Sequence, residues 1–461
     1  MAQSLVQSDA DPGGQSPVPQ GAPADLPALN NRRVLAIALP IVLSNATIPL
    51  LGAVNTGVVG QLGQAAPIGA VGLGSIILVS VYWIFGFLRM GTSGLVAQAR
   101  GAGDDAEGGA HLLRALMIAG CAGLVLIALQ VPLMSLAFRL APASDAVESL
   151  ARQYLAIRIW GAPATIALYA ITGWLIALER TKAVLALQLT LNSLNIVLDL
   201  WFVLGLGWGV PGVAFATLIA EWSGLCLGLW FARDAIAQAW GRAGLFARQQ
   251  IDRLVRLNGD ILIRSVLLQG SFTTFIFMAA GQGDVTLAAN QVLLQFLEIT
   301  AYGLDGFAFA AEALVGQAVG ARRRDRFNQS VRLTSQWGVA GAIVMSVIFL
   351  LFGAMIIDVL TTSPEVRETA RADLPWLVLA PLLGIASWMF DGIFIGATRT
   401  REMRNAMMVS VPVYAVLVVL LPPLLGNHGL WAALMGLNVM RALTMARLYP
   451  RVAASVDGPQ G

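Results

Sequence analysis

Apolar runs of twenty or more residues recur from one end of this 461-residue chain to the other. A run of that length crosses the hydrocarbon of a bilayer as a helix. Within the bilayer the chain must satisfy every backbone polar group itself, which leaves helices or closed barrels. A barrel is written in short alternating segments, and this sequence has none. The fold class is therefore an all-α polytopic membrane protein with 12 transmembrane helices. Only 12% of its residues are charged, against 57% hydrophobic. That is about half the charge of a soluble domain.

The runs fall near residues 34–59, 67–99, 110–138, 154–178, 183–206, 211–232, 258–281, 286–319, 331–360, 374–397, 403–425 and 430–448. Residues 1–30, rich in Pro, Gly, Gln, Ala and Ser, read as a disordered tail rather than a signal peptide. Residues 450–461 read as a second, short tail. The arginine-bearing stretch 234–257 contains Ile251-Asp-Arg-Leu-Val-Arg-Leu257, an amphipathic pattern expected to lie at the membrane interface as a cytoplasmic linker. An N-terminal lobe, 31–233, and a C-terminal lobe, 258–449, remain.

The net charge of +3 speaks of topology and not of nucleic acid. Arginines gather in the loops after the second, fourth, sixth, eighth and tenth helices, while the loops after the first, fifth, seventh and eleventh hold none. The positive-inside rule then places both termini in the cytoplasm. Cys121 and Cys226 lie in apolar runs and have no ligand spacing, so they are read as packing residues. His111 and His428 are too far apart for a metal site, and no cofactor is implied.

The two halves repeat. Gln98-Ala-Arg-Gly101 matches Gln317-Ala-Val-Gly320 at an offset of 219 residues. The same offset carries Arg180-Thr181 to Arg399-Thr400, and Gly207 to Gly426. Six helices is an even number, so the halves are parallel repeats about an axis along the membrane normal. They form two pseudo-symmetric six-helix bundles around a central cavity.

A charged side chain at membrane depth is costly and is a functional candidate by default. Asp199, with Asn195 one helical turn earlier on the same face, is the first such group, and it reads as lying well inside its helix. The offset maps it to Val418, so the second half lacks this carboxylate. That half carries Gln291, Glu298, Asp305 and Glu312 instead. Their seven-residue spacing makes one stripe drifting about 20° per step. A stripe of three acids should face the cavity. Glu298 and Asp305 are read as cavity groups, and Glu312 as the structural partner of Arg264. Arg89 either pairs across the cavity or packs within its own lobe, the latter being favoured. For Asp391 a cavity role and a local contact stay open, as they do for Glu221.

Enzyme signatures are missing: no Walker loop, HExxH or GxSxG spacing occurs. With no nucleotide site, transport would draw on an ion gradient.

Pro40-Ile-Val-Leu-Ser-Asn-Ala-Thr-Ile-Pro-Leu-Leu-Gly-Ala-Val-Asn-Thr-Gly57 resembles the first-helix signature of the multidrug and toxic compound extrusion (MATE) family. Met90-Gly-Thr-Ser-Gly-Leu-Val-Ala-Gln98 resembles its second-helix motif. Asn195 to Asp199, the following Gly-Leu-Gly-Trp-Gly-Val-Pro-Gly, and Ala288-Ala-Asn-Gln-Val with Leu304-Asp-Gly-Phe-Ala resemble the DinF-like branch. The likeness covers about residues 31–450. It implies a 12-helix inner-membrane antiporter, a monomer and not an enzyme, that exports organic, lipophilic cationic compounds by alternating access in exchange for H+ or Na+. It also implies an ion-coupling cluster at Asn55, Asn195, Asp199 and Thr217, with Pro40 as the bending point. The family's usual Asp at the Val-x-Thr position is Asn55 here. An amide can donate to Asp199 but cannot carry a proton as an acid does. Gln291, Glu298, Asp305 and Asp391 are the expected substrate-cavity residues. A lipid-linked precursor flippase would call for a cavity rich in arginine; a non-transporting receptor or scaffold would have no use for unpaired acids at membrane depth.

Overall fold

The computed structural model describes residues 27–61, 65–140, 143–242 and 244–456. It is built of long helices: α1 Asn31–Gly60, α2 Ala66–Gly101, α3 Asp105–Ala128, α4 Asp145–Ala177, α5 Thr181–Gly205, α6 Gly209–Trp240, α7 Arg248–Ala280, α8 Asp284–Gly320, α9 Arg324–Leu360, α10 Pro364–Gly396, α11 Thr400–Leu425 and α12 Asn427–Ala454. Among the described residues, α2 to α12 are each long and apolar enough to cross a membrane. Short 3-10 turns interrupt α2 at Ile84–Gly86 and α4 at Ile159–Gly161.

Backbone geometry repeats at the offset read from the sequence. Left-handed φ angles occur at Gly103 and Arg322, at Glu179 and Thr398, and at Gly207 and Gly426, three pairs each 219 residues apart. Helix packing repeats too. The Gly173 Cα faces the Arg89 carbonyl, and the Gly392 Cα faces the Ala308 carbonyl. Small residues let helix backbones approach in this way without a hydrophobic driving force.

The lobes meet at the arginine-rich end. Gln98 Nε2 crosses to the Gly396 carbonyl and to Thr398 Oγ1, both at 3.0 Å. Its repeat mate, Gln317 Nε2, crosses to the Ala177 carbonyl at 3.0 Å. Beside these bonds Gly101 abuts the Gln317 backbone and Gly320 abuts the Gln98 backbone. One buried core runs through the first lobe and this end of the second, from Val34 to Phe327 and Ile395. The rest of the second lobe has a core of its own around Phe296, Phe349 and Trp431. The structure is therefore closed at the arginine-rich end.

Several expectations are corrected. The linker is short, because α6 continues to Trp240 and α7 starts at Arg248. The amphipathic pattern forms the opening turns of α7, with Leu254 and Leu257 buried in protein rather than in lipid headgroups. Arg242 holds what remains, bonding Asp104 at 2.7 Å. That hydrogen bond keeps the Asp104 carboxyl below the usual carboxylate range. Residues 1–26 of the expected N-terminal tail lie outside the described residues. Its last part is docked: Leu29 is buried, and the Pro27 carbonyl accepts from Arg33 and Arg326. At the other end α12 runs on to Ala454, and 457–461 lie outside the described residues. Cys121 and Cys226 are exposed rather than packed.

Candidate functional site

Among the described residues, the polar groups singled out above gather mainly at two places, one inside the first lobe and one between the lobes. The first is a seam between α1 and α5. At its near end Pro40 has no N–H to offer the Ala36 carbonyl one turn earlier. Thr181 Oγ1 takes that place at 3.2 Å. Further along, Asn192 Nδ2 donates to Thr47 Oγ1 at 2.7 Å, and Gln188 Nε2 donates to Asn192 Oδ1 at 3.0 Å.

At the far end stands Asp199, wholly buried. It is the last residue of the regular part of α5 and not mid-helix, because Leu200–Gly205 continues as a π turn. Such turns open the hydrogen-bond ladder locally and often mark functional positions. Asp199 Oδ2 sits between two amides. With nitrogens turned toward it, Asn55 donates at 2.8 Å and Asn195 at 3.0 Å, and the Asn195 oxygen then faces Thr217 Oγ1 at 2.9 Å. Amide orientation is assigned from the bonding network. Thr217 Oγ1 is anchored on the Val213 carbonyl at 3.0 Å. Asp199 Oδ1 is buried with no partner among the described residues. The four residues singled out in sequence thus converge. The neighbouring Arg158 is engaged by Glu221 at 2.6 and 2.9 Å, which settles Glu221 as a lobe-packing group.

The second site is a cavity of about 430 Å3 between the lobes, lined from α2, α4, α7, α8, α10 and α12. Trp83, Tyr169, Phe272 and Trp388 supply aromatic walls. Its charges are Arg89, Arg264 and Arg441 against Asp305, Glu312 and Asp391. The expected Arg264–Glu312 pair does not form. Arg264 Nη2 bonds Asp391 Oδ2, and Glu312 Oε2 takes Arg89 Nη1 at 3.3 Å. Arg89 therefore reaches across the lobes, contrary to the favoured reading, and its guanidinium lies 4.0 Å over the Phe309 ring. Sequence supplies the depth of Arg264 but not which neighbouring helix its side chain faces.

Arg441 was missed. Its Nη2 shares Asp391 Oδ2 at 2.6 Å. It is an arginine inside an apolar run, so the criterion that singled out Asp199 would have found it. Asp305 lines the cavity and makes no hydrogen bond among the described residues. Gln291 and Glu298 are exposed and are not among the lining residues. The stripe drifts about 20° per heptad, enough over three heptads to carry its outer members away from the cavity.

The MatE family model matches residues 40–201 and again 261–420, once in each lobe. The chain is 39% identical to DNA damage-inducible protein F of Escherichia coli (strain K12) over 419 residues, covering 90% of this chain and 91% of that one. It is 24% identical to a probable multidrug resistance protein NorM of Neisseria meningitidis, over 90% and 92% of the two chains. Among solved structures, the Vibrio cholerae MATE transporter VcmN in the bent form superposes with a TM-score of 0.83 at 18% identity, over 93% of this chain and 98% of that one. The chain belongs to the multidrug and toxic compound extrusion family, in its DinF-like branch, and is a membrane transporter of that type.

Proposed function

We propose that the chain is an ion-coupled antiporter that exports organic, lipophilic cationic compounds by alternating access. It works as a monomer in the cytoplasmic (inner) membrane, with both termini inside. The two lobes, α1–α6 and α7–α12, rock about the central cavity, joined by the short connection between Trp240 and Arg248.

The observation that carries this reading is the Asp199 site. A wholly buried carboxylate with only amides on Oδ2 is held at a cost that a bound cation relieves. A proton or a sodium ion supplies that relief. The neighbouring amides suit both states. Toward the charged carboxylate they present N–H groups, and toward a protonated one an amide oxygen can accept. Asn55 lies on α1 and Asp199 on α5, so loading this one site changes how those helices are tied. Asp305, without a hydrogen-bond partner in the cavity, is the carboxylate for the cationic cargo. Its arginines are matched one for one by carboxylates, which does not favour the polyanionic cargo of a lipid-linked precursor flippase.

The test is Asp199→Asn in proteoliposomes, with pH and sodium gradients imposed separately and a lipophilic cation as cargo. Gradient-driven flux is abolished while membrane insertion is retained. Unchanged flux under both gradients overturns the reading.

A further inference from the structure

The arginine-rich end holds another cavity, of about 440 Å3, that shares no residue with the one between the lobes. It lies where Gln98 of the first lobe meets the start of α7 and the α10–α11 turn. Four arginines line it, Arg253, Arg256, Arg399 and Arg401, against the carboxylates of Asp260 and Glu402. Both acids are already engaged. Asp260 Oδ1 takes Arg404 Nη1 at 2.6 Å, and Glu402 stands 3.7 Å from Arg399. Arg253, Arg256 and Arg401 have neither a hydrogen bond nor an ion pair among the described residues.

The repeat shows what such a place is built to hold. In the first lobe the α4–α5 turn carries Glu179, and this acid holds an arginine at the start of α1. Arg33 Nε donates to it at 2.8 Å and Arg33 Nη2 at 2.5 Å. The offset of 219 residues carries Glu179 to Thr398, which keeps the left-handed backbone and replaces the carboxylate by a hydroxyl. The arginines at the start of α7 therefore face a turn that offers them no anion. A first-lobe cavity lined by Arg100 and Arg180 is, by contrast, balanced by Asp105 and Asp234.

We propose that this cavity binds a phosphate-bearing anion, the headgroup of an anionic phospholipid or a soluble phosphate ester, which does at the second lobe what Glu179 does at the first. Scattered arginines at a membrane surface only report topology. Here four converge on one cavity with a surplus of two positive charges over its acids. Planar guanidinium forks pair with phosphate oxygens by charge-assisted bonds, and basic pockets between membrane helices receive phosphorylated headgroups. Gln98 gives the occupant a conformational effect. It lines the cavity, and its Nε2 makes the bonds to Gly396 and Thr398 that join the lobes. Opening this end withdraws Gln98 and removes that wall, so the anion prefers the closed form and holds it closed.

Binding is measured on the purified full-length protein in phosphate-free detergent, with no gradient and no cargo, so the exporter reading stands or falls separately. In one arm, native mass spectrometry counts the lipids retained from an equal mixture of phosphatidylglycerol and zwitterionic phosphatidylcholine. In the other, calorimetric titration follows glycerol 3-phosphate. A preference for phosphatidylglycerol of about tenfold, the order of one hydrogen bond to a charged group, assigns a lipid headgroup. Saturable binding of glycerol 3-phosphate without that preference assigns a soluble ester. Arg253→Gln combined with Arg256→Gln abolishes whichever signal is seen; both side chains are exposed, so the fold does not depend on them. Thr398→Glu abolishes it as well, by supplying the carboxylate from within, at a turn whose first-lobe counterpart already carries a glutamate. Arg100→Gln combined with Arg180→Gln removes the same charge from the balanced cavity and leaves the signal intact. No binding in either arm overturns the proposal, and so does an equal loss in the two arginine pairs, which marks general surface charge. The closing effect is read on Ala177→Cys, a buried side chain beside the Gln317 bond, with Cys121 and Cys226 replaced by alanine. Anion at about ten times its Kd slows maleimide labelling from the arginine-rich side about tenfold. An unchanged rate in protein that binds the anion overturns the closing role.

Discussion

Closure at the arginine-rich end depends on Gly101 and Gly320 having no side chain, and Gly101→Ala puts a number on it. A methyl built on Gly101 would lie 2.7 Å from the Gln317 carbonyl carbon and 2.8 Å from its Cα. Carbon atoms in contact stand about 3.5–4.0 Å apart, so the lobes must part by about 1 Å there. The Gln98 bond to Gly396 and the Gln317 bond to Ala177 are each 3.0 Å long, and at about 4 Å neither is a hydrogen bond. A net value of about 1 kcal/mol each makes the loss about 2 kcal/mol, a shift of about 30-fold toward opening at that end. The reporter is Ala177→Cys, at a side chain with no exposure in the closed form, in a background with Cys121 and Cys226 replaced by alanine. Its maleimide labelling rate from the arginine-rich side should rise about 30-fold when Gly101→Ala is added. Equal rates with and without Gly101→Ala, in protein that elutes as a single species, would refute the steric argument.

Three further outcomes are expected. Arg89→Gln strands the buried Glu312 and should lower stability by about 3 kcal/mol; Arg89→Gln combined with Glu312→Gln should recover much of it by thermal unfolding in detergent. Thr181→Val removes the hydroxyl on the Ala36 carbonyl and should cost about 1 kcal/mol, read as faster hydrogen exchange in the first turns of α1. Asp104 caps α3 by accepting from the Glu107 N–H at 2.9 Å, and its bond to Arg242 depresses its titration below the usual 3.8. A depressed acid stabilises the fold fully above its unfolded value and loses that contribution as pH falls through the folded one. Asp104→Asn should therefore flatten the acid limb of the stability profile below pH 3.8, and an unchanged limb would count against the pairing.

The helix count, the 219-residue repeat and Asp199 with Asn195 were legible because each rests on local pattern, whereas Asn55 and Thr217 entered only through the family resemblance. Apolar run length, loop glycines and an acid in an apolar helix are visible one segment at a time. Arg264 was misassigned because sequence reports how deep a group lies and not which of several helices at that depth it faces. The linker was misread because an amphipathic pattern is the same whether its apolar face meets lipid or protein. Only the burial of Leu254 and Leu257 decides between them. Asn192 and Thr47 escaped notice as uncharged groups whose pairing exists only once α1 and α5 lie side by side.

The replacement of a backbone donor by Thr181 at Pro40 has a mechanical consequence. Below that point α1 is fastened to its own lobe, by Thr181 on Ala36 and by Arg33 Nε on Glu179 at 2.8 Å. If α1 bends at Pro40, as the proposed alternating access requires, the part above it is a lever. At 1.5 Å per residue the fifteen residues from Pro40 to Asn55 make an arm of about 22 Å, so a tilt of about 10° moves its far end by about 4 Å. The far end is where Asn55 meets Asp199. A bond about 1 kcal/mol strong at the tip would then oppose the swing with its greatest leverage, and on the proposed ion coupling one cation gained or lost there changes the torque on the whole arm.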